Sequence, residues 1–254
     1  MTLGPPIFRD PHRRPERPSG DIGAIRFLTS GDFPPFNFLD SKGQLVGYHI
    51  DLARAICARL AVACSIQMRP FADLATALDE RRGEAIIAGL APTPALRARF
   101  EFTESYLGTP GRLVGRRGAR VDQGAPDAID GRWIAVVDGS RHMAFVLENF
   151  PKARVAAYPS ETQARDALRD GAVDFVFGDA LSASFWLGGP ASRACCAFVG
   201  AAYADPAYFG EGFRIAVSAA NLRLRRALDV ALYELEERGV MSELYLRYFP
   251  LGFY

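Results

Sequence analysis

Short apolar segments alternate with amphipathic helical patterns through most of this sequence, and this alternation constrains the fold more than any other feature. In the first half, strands are predicted at 24–29, 63–69 and 85–88, with helical spacing of apolar residues over 52–60 and 74–81. Buried strands separated by such helices favour parallel pairing through crossover helices. Asp51 directly precedes the first helical pattern and is predicted to be its N-cap.

The same alternation returns in the second half of the chain. Strands are predicted at 133–137, 155–158 and 175–179, and helices at 141–149 and 161–170. A Gly/Arg-rich stretch at 108–119 is predicted to carry the chain between two lobes, and a long amphipathic helix at 222–238 precedes the segment 241–249. The aromatic terminus, 247–254, is expected to pack across the first lobe or to form an exposed partner patch.

Composition excludes some classes of partner. Thirty basic and twenty-nine acidic residues give a net charge of +1, which provides no electrostatic footprint for a nucleic acid or an anionic membrane. No apolar run approaches the roughly 18 residues of a membrane-spanning helix, and no secretory signal is visible. The proline-rich residues 1–23 are predicted to be a disordered leader, in which Arg13, Arg14 and Arg17 form either a docking arm or a solvated tail.

Seven short motifs follow one another in a characteristic order and spacing. They are Phe33-Pro-Pro-Phe36, Gly47-Tyr-His-Ile-Asp51-Leu, Ala88-Gly-Leu-Ala-Pro-Thr93, Phe102-Thr-Glu-Ser-Tyr106, Gly139-Ser140, Gly171-Ala-Val-Asp-Phe-Val-Phe-Gly-Asp179 and Gly212-Phe-Arg-Ile-Ala-Val217. Together they resemble the bilobed periplasmic amino-acid-binding proteins of ABC uptake systems, of which the histidine-binding and lysine/arginine/ornithine-binding proteins are the best known. Each motif is weak alone, and their order carries the resemblance.

The resemblance implies an α/β fold of the type II periplasmic-binding class, with two parallel-rich sheets, flanking helices and a two-strand hinge. It implies one lobe at 24–112 with 207–254, a second lobe at 113–206, and a ligand in the cleft between them. It also implies a monomer in the periplasm that binds a small amino acid or related amine, presents it to an ABC permease, and uses neither a cofactor nor a metal. A sensing receptor and a dehydratase-type enzyme are the alternatives on the same scaffold.

In such a protein Phe33 is expected to place an aromatic face against the ligand, and Phe36 is expected to contribute to that wall or to the core. Asp179 matches the carboxylate that pairs with the ligand's ammonium group, although a strand-end aspartate also suits a helix N-cap. The turn at Gly139, Ser140 and Arg141 matches the site for the ligand's carboxylate, where Ser140 alternatively only caps the helix.

One motif departs from the family pattern at the carboxylate clamp. Gly89 keeps the register, but Leu96 stands where many members have an arginine, and Ala91 stands where they have a hydroxyl residue. Arg97 is one residue further on, and a one-residue step rotates a helical side chain by about 100°. Either Arg97 or Arg141 replaces the missing arginine, or the ligand is an amine, a modified amino acid or a small amide.

The cysteines indicate whether the protein resides in an oxidising compartment. The resemblance implies a Cys57–Cys64 disulfide, and two buried thiols are the alternative reading. Cys195 and Cys196 are adjacent, where a bridge is expected to be strained, and no further ligand is spaced for zinc.

The side chains that could act as acids or bases form no recognisable catalytic constellation. They are Glu101, Glu104, Asp179, Glu211, His12, His49 and His142.

Overall fold

The computed structural model describes residues 14–90, 92–119, 121, 126–249 and 251–252. The chain divides into two compact units: unit 1 is Met1–Leu107 with Glu211–Pro250, and unit 2 is Gly108–Gly210 with Leu251–Tyr254. Among the described helices, none has the length and apolar character needed to cross a bilayer.

The described residues form strands and helices in the following order. The strands are β1 (Ile25–Thr29), β2 (Asp32–Phe33), β3 (Asn37–Leu39), β4 (Leu45–Val46), β5 (Cys64–Met68), β6 (Ala85–Ile86), β7 (Phe100–Phe102), β8 (Gly111–Arg116), β9 (Trp133–Val137), β10 (Arg154–Tyr158), β11 (Phe175–Asp179), β12 (Cys196–Tyr203) and β13 (Ala216–Ser218). The helices are α1 (Tyr48–Leu60), α2 (Leu74–Asp79), α3 (Pro94–Arg97), α4 (Arg141–Asn149), α5 (Glu161–Arg169), α6 (Ala180–Gly188), α7 (Pro206–Phe209), α8 (Leu222–Glu237) and α9 (Val240–Tyr248).

Unit 1 is built on a five-stranded sheet with the order β5-β1-β6-β13-β7. Strand β1 is parallel to β5 and β6, as the apolar runs predict, whereas β13 returns late in the chain and is antiparallel to β6 and β7. Leu28, Leu78 and Ile86 belong to one buried cluster on this sheet. A separate small sheet, β2-β3-β4, carries the Phe33 to Phe36 loop.

Unit 2 repeats this design with the order β10-β9-β11-β8-β12. Strand β9 is parallel to β10 and β11, and β8 is antiparallel to β11 and β12. Successive residues of β11 face opposite sides of the sheet: Phe177 packs in the cluster that includes Phe145 of α4, and Val176 packs in the cluster that includes Ala164 of α5. The predicted α/β class is confirmed, and both five-stranded sheets are mixed, whereas the small sheet β2-β3-β4 is antiparallel.

The predicted boundaries between lobes differ from the observed units. Residues 108–112 and 207–210 were predicted in the first lobe, but they belong to unit 2 together with 251–252. The reason is hydrogen bonding: Gly111 starts β8, which pairs along its length with β11. Strand pairing, which composition does not reveal, therefore sets the division a few residues away from the Gly/Arg-rich signal.

The prediction that Asp51 is a helix N-cap is wrong. Helix α1 begins at Tyr48 with Gly47 as the N-cap residue, which has φ of 130° and no capping side chain. A Cβ at Gly47 would overlap the Phe36 carbonyl oxygen, so glycine lets the helix start close to the loop. Asp51 lies in the first turn and instead accepts hydrogen bonds from Arg247 (3.0 Å) and the Tyr248 hydroxyl (2.7 Å).

The two terminal segments of the chain differ in how they pack on unit 1. Of the predicted leader, residues 1–13, including Arg13, lie outside the described residues; residues 14–23 have no helix or strand, and Arg17 pairs with Glu234 at 3.1 Å. At the other end, Phe249 is 1% exposed and its ring lies 5.5 Å from that of Phe36. The terminal aromatics therefore pack on unit 1 as far as Phe249, which is the first of the two arrangements that the sequence allowed.

All four cysteines are paired. Cys57 of α1 and Cys64 of β5 form a disulfide with a Cα–Cα distance of 5.8 Å, which fits the implied pairing. Cys195 and Cys196 also form a disulfide, with a Cα–Cα distance of 3.7 Å. The adjacent cysteines are thus bridged in an arrangement that the sequence predicts to be strained. Ala194, immediately before them, has φ of 51°.

Candidate functional site

Phe33 and Phe36 of unit 1 differ in burial, which distinguishes the two roles, ligand wall and core, that the sequence left open. The rings of Phe33 and Phe36 stack with centroids 4.7 Å apart. Phe36 is fully buried and packs edge-on against Phe213 at 5.4 Å, whereas Phe33 is only partly buried. Phe36 is thus a core residue that supports Phe33, and Phe33 keeps ring surface available for a ligand.

Gly89 lies against this aromatic pair. Its φ is 70°, and a Cβ there would lie 2.9 Å from Phe33 Cε1 and 3.5 Å from His49 Cε1. The loop therefore approaches the Phe33 ring more closely than a side chain would permit. Ala91, the other residue of this loop in the predicted site, lies outside the described residues.

Gly89→Ala is expected to move the Phe33 ring and to weaken ligand binding about tenfold, because a Cβ and the ring cannot occupy the same space. The left-handed backbone adds a stability cost of about 1–2 kcal/mol. Gly43→Ala is the matched control: φ at Gly43 is 72° and a Cβ there meets no atom within 4 Å. Urea denaturation and calorimetry on both variants should show a similar stability loss and a binding defect confined to Gly89→Ala.

Behind Gly89 lies a buried polar network that the sequence interpretation did not find. His49 Nδ1 is 2.6 Å from Asn37 Oδ1, and His49 Nε2 is 2.9 Å from the Tyr106 hydroxyl. Asn37 Nδ2 donates to the carbonyl and hydroxyl oxygens of Ser30 at 3.1 and 2.9 Å. All four side chains are buried, so the network joins two loops, strand β3 and helix α1 at the base of the aromatic pair.

The protonation state of this network follows from burial. Burial lowers the pKa of His49 to about 3, so its imidazole is neutral near pH 7. Burial raises the pKa of Tyr106, which keeps its hydroxyl protonated. A neutral imidazole that accepts from Tyr106 at Nε2 carries its proton on Nδ1 and donates it to Asn37. His49 is therefore a structural residue and a poor acid–base catalyst.

Leu96 and Arg97 show how the altered clamp segment folds. Thr93 caps α3 by accepting from the Leu96 N–H at 3.3 Å. Leu96 packs against the buried cluster of unit 1, while Arg97 points to the surface and its Nη2 lies 2.5 Å from Glu211 Oε2. Both members of this pair are close to half exposed, so the interaction is worth at most about 1 kcal/mol and leaves Arg97 exchangeable.

The carboxylate acid–base candidates of unit 1 lie in ion pairs with arginines, and two of them share Arg214. Glu211 also contacts Arg214 at 3.3 Å, and Glu101 lies 3.8 Å from Arg225. Glu104 is 4.0 Å from Arg214. His12 lies outside the described residues. Within the described part of the chain, no group of histidine, cysteine and carboxylate side chains is arranged to hold a metal ion.

In unit 2, the turn after β9 presents backbone N–H groups at the start of α4. Gly139 has φ of 63°, and the Ser140 hydroxyl accepts from the Met143 N–H at 3.1 Å. Ser140 is therefore the N-cap that the sequence allowed, and its hydroxyl hydrogen stays available to a ligand. Arg141 is exposed and adds positive charge to the same helix end.

Asp179 ends β11 and is the N-cap of α6, where its Oδ1 accepts from the Ser182 N–H at 2.8 Å. The two roles weighed from the sequence are compatible, because capping uses one carboxylate oxygen. Burial raises the pKa of Asp179, and the neighbouring Glu161 carboxylate acts in the same direction. The Ser182 N–H, Arg141 and the Thr109 side chain oppose that shift.

A second polar network in unit 2 supports Asp179 and was also missed from the sequence. Glu161 Oε2 accepts from Arg165 Nη2 at 2.7 Å and from the Ser182 hydroxyl at 2.6 Å. Arg165 donates in addition to the Ser182 hydroxyl at 2.9 Å. The Glu161–Arg165 spacing of four residues is a known helical ion-pair pattern, but nothing in the sequence joins it to Ser182. These contacts fix the turn that holds Asp179.

Comparison with known proteins finds a matching family model and named relatives. The family model described as bacterial extracellular solute-binding proteins, family 3, matches residues 25–251. A candidate ABC transporter arginine-binding protein of Escherichia coli (strain K12) is 32% identical over 89% of this chain and 90% of the relative. The lysine/arginine/ornithine-binding periplasmic protein of the same organism is 28% identical over 91% of this chain and 89% of the relative.

Solved structures support the same fold. The L-cystine solute receptor of Neisseria gonorrhoeae, in its unliganded open form, has a TM-score of 0.76 at 21% identity and covers 91% of this chain and 94% of its own. An ancestral cyclohexadienyl dehydratase has a TM-score of 0.75 at 20% identity and covers 90% and 93%. At these identities the similarity concerns the scaffold, which is shared by a binding protein and an enzyme.

Proposed function

Since this chain belongs to the bacterial extracellular solute-binding proteins of family 3, and its relatives bind amino acids for ABC transporters, we propose that it captures a small amino acid or amine whose ammonium group pairs with Asp179. It acts in the periplasm as a monomer, delivers the ligand to an ABC permease, and does not transform it. The position of Asp179 at the end of β11 is the observation that carries this proposal.

Asp179 suits an ammonium partner for two reasons. Its carboxylate is mostly buried, and burial raises its pKa, so a bound cation relieves an unfavourable buried charge. The Ser182 N–H and the Thr109 side chain both hydrogen-bond to the carboxylate, which has about four lone-pair sites and so can still accept from a ligand. A charge-assisted hydrogen bond in such a site is stronger than one between neutral groups.

The carboxylate end of the ligand is held less firmly in this proposal. Backbone N–H groups after Gly139, the Ser140 hydroxyl and the Arg141 charge provide an anion site at the start of α4. Leu96 packs against the buried cluster of unit 1 where many family members have an arginine, and Arg97 lies on the surface in an exchangeable pair with Glu211. The ligand therefore depends more on its ammonium group than on its carboxylate, and amines without a carboxylate are accepted.

Three matched compounds test this order of importance by isothermal titration calorimetry. L-Arginine is the starting compound because relatives are named for it; agmatine lacks its carboxylate, and 5-guanidinopentanoic acid lacks its α-amino group. We expect removal of the amino group to cost at least about 100-fold and removal of the carboxylate at most about tenfold, since only the first breaks a buried charged pair. The opposite order would contradict the proposal.

The same series is repeated with glutamine and its two counterparts, so that a preference for another side chain does not obscure the comparison. Each bound compound is then recovered and analysed by mass spectrometry. An unchanged compound supports a binding protein, whereas a dehydrated or decarboxylated product would show enzymatic turnover.

A further inference from the structure

The two disulfides of this protein differ in geometry. Cys57 and Cys64 join α1 to β5 in unit 1, and their Cα atoms are 5.8 Å apart. Cys195 and Cys196 are consecutive residues of unit 2, with Cα atoms 3.7 Å apart. Most disulfides join Cα atoms about 4.4–6.8 Å apart, and a bridge outside this range is strained and more easily reduced. The Cys195–Cys196 bridge is therefore the more reducible of the two.

The turn that leads into this bridge has an unfavourable backbone conformation. Arg193 and Ala194 have φ of 49° and 51°, in the left-handed region that side-chain-bearing residues avoid. The Cys195 N–H donates to the Ser192 carbonyl at 3.0 Å, and the Ala194 N–H donates to the Ser192 hydroxyl at 3.2 Å. The bridge adds a covalent constraint at the end of this turn. Opening the bridge removes that constraint, so both left-handed residues gain access to ordinary φ values.

The same turn is joined to the C-terminal end of α6. Ser192 is 1% exposed, and its hydroxyl donates to the carbonyl oxygens of Leu187 at 3.1 Å and Gly189 at 3.0 Å. Cys196 packs in the buried cluster that includes Ala183 of α6. A change in the turn is therefore expected to reach the last turn of this helix.

The surroundings of the bridge favour attack by a thiol at Cys195. Cys195 is partly exposed, whereas Cys196 is 3% exposed. The Arg117 N–H donates to the Cys195 carbonyl at 2.8 Å, and Arg117 Nε donates to the Ala194 carbonyl at 2.7 Å. Its positive charge thus lies beside the bridge, where it favours the thiolate form of the attacking thiol and of the sulfur that leaves.

We propose that the Cys195–Cys196 bridge is a reversible redox switch, which accepts two electrons from a dithiol and releases the turn at Arg193 and Ala194. A thiolate of the dithiol attacks Cys195 Sγ to form a mixed disulfide, and the S–S bond breaks with its electron pair on Cys196 Sγ. The second thiolate of the dithiol then attacks the dithiol's own sulfur in the mixed disulfide, and Cys195 leaves as a thiolate. The dithiol is oxidised to an internal disulfide, and its two protons pass to the two cysteines.

The first test equilibrates the full chain with mixtures of reduced and oxidised dithiothreitol, traps free thiols with N-ethylmaleimide and quantifies each cysteine pair by peptide mass spectrometry. Cys57–Cys64 is the control within the same molecule. The equilibrium constant for reduction is expected to be at least about 100-fold larger for Cys195–Cys196 than for Cys57–Cys64, and oxidised dithiothreitol should restore the bridge. Equal constants, or a reduced pair that does not re-form, would overturn the switch. No ligand takes part, so the result is independent of the proposed function.

The second test asks whether the turn takes part in the redox step. Glycine adopts the left-handed conformation without steric cost, so Ala194→Gly stabilises the bridged form and is expected to lower the equilibrium constant for reduction about three- to tenfold. Ala191→Gly is the matched control, because Ala191 is also exposed but lies outside the left-handed positions; it should leave the constant unchanged. Equal constants for Ala194→Gly and wild type would contradict release of the turn.

Hydrogen exchange measures the release directly. On reduction of wild type, the amides of residues 185–195 are expected to exchange at least about fivefold faster, while those of α4 keep their rates. Replacing both Cys195 and Cys196 by serine should give the fast rates without any reductant. Identical exchange in the oxidised and reduced proteins would show a labile bridge that switches nothing, and would overturn the proposal.

Discussion

Asp179→Asn is expected to weaken binding of the preferred amino compound about 100-fold or more while the protein keeps its fold. Asparagine is as good an N-cap as aspartate, so the Ser182 N–H keeps its partner and α6 keeps its start. What is lost is the negative charge opposite the ligand's ammonium, and a buried charge-assisted pair is worth about 1.5–3 kcal/mol or more. The variant thus separates the effect of the Asp179 charge on binding from the effect of its N-cap on the stability of α6.

Calorimetry measures the affinity, and urea denaturation without ligand measures the stability. Because burial disfavours the charged carboxylate, the free variant is expected to be as stable as wild type or slightly more stable. Asp179→Ala is the companion variant: it removes both functions and is expected to lose about 1 kcal/mol of stability as well. If Asp179→Asn bound the ligand with the affinity of wild type, Asp179 would be only a helix N-cap.

The pH dependence of binding follows from the raised pKa of Asp179. Ammonium binding requires the ionised carboxylate, and protonation of Asp179 in the free protein begins at a higher pH than for an ordinary aspartate of pKa about 4. Affinity is therefore expected to decline on acidification before ordinary surface carboxylates titrate. Asp179→Asn should lack this decline.

Sequence patterns located the elements of this fold well where local chemistry determines them. The strands at 133–137 and 175–179 and the helix at 141–149 have the predicted bounds. Ser140 and Asp179 each follow a buried strand and precede a helix, so capping residues marked those boundaries. The same local logic placed Phe33 at the end of β2, Ser140 at the start of α4 and Asp179 at the end of β11.

What the sequence did not reveal depends on pairing between distant residues. His49 precedes Asp51 in a helical pattern and reads as a packing residue, but its partners Asn37 and Tyr106 are 12 and 57 residues away. Asp51 looked like a cap because no local signal shows Tyr248, 197 residues later, which bonds to it. Networks of this kind are specified by tertiary packing, which a single sequence does not display.

His49→Phe is expected to lower the free energy of unfolding by about 2–6 kcal/mol at pH 8. The phenyl ring keeps the aromatic contact with Phe36, now 4.9 Å between centroids, so packing is largely preserved. Asn37 Oδ1 and the Tyr106 hydroxyl lose their partner, and each buried polar group left without its hydrogen bond costs about 1–3 kcal/mol. Urea denaturation followed by far-UV circular dichroism measures the loss, because both tryptophans, Trp133 and Trp186, lie in unit 2.

The decisive feature of this variant is its pH dependence. The pKa of His49 is about 3 in the folded protein and about 6.5 when unfolded, so unfolding takes up one proton between these values. Its contribution to stability is complete above pH 6.5 and declines as the pH falls, by up to about 1.4 kcal/mol per pH unit. The difference in free energy of unfolding between wild type and His49→Phe should therefore be about 2 kcal/mol smaller at pH 5 than at pH 8.

Tyr106→Phe is the matched control for this titration. It removes the hydroxyl that bonds to His49 Nε2 but retains the buried imidazole, so its stability should fall with pH in parallel with wild type at a constant offset of about 1–3 kcal/mol. His142 is common to all three proteins and cancels from the comparison. A gap between wild type and His49→Phe that stays constant from pH 8 to 5 would contradict a neutral, buried His49, and the network would then have to hold an imidazolium.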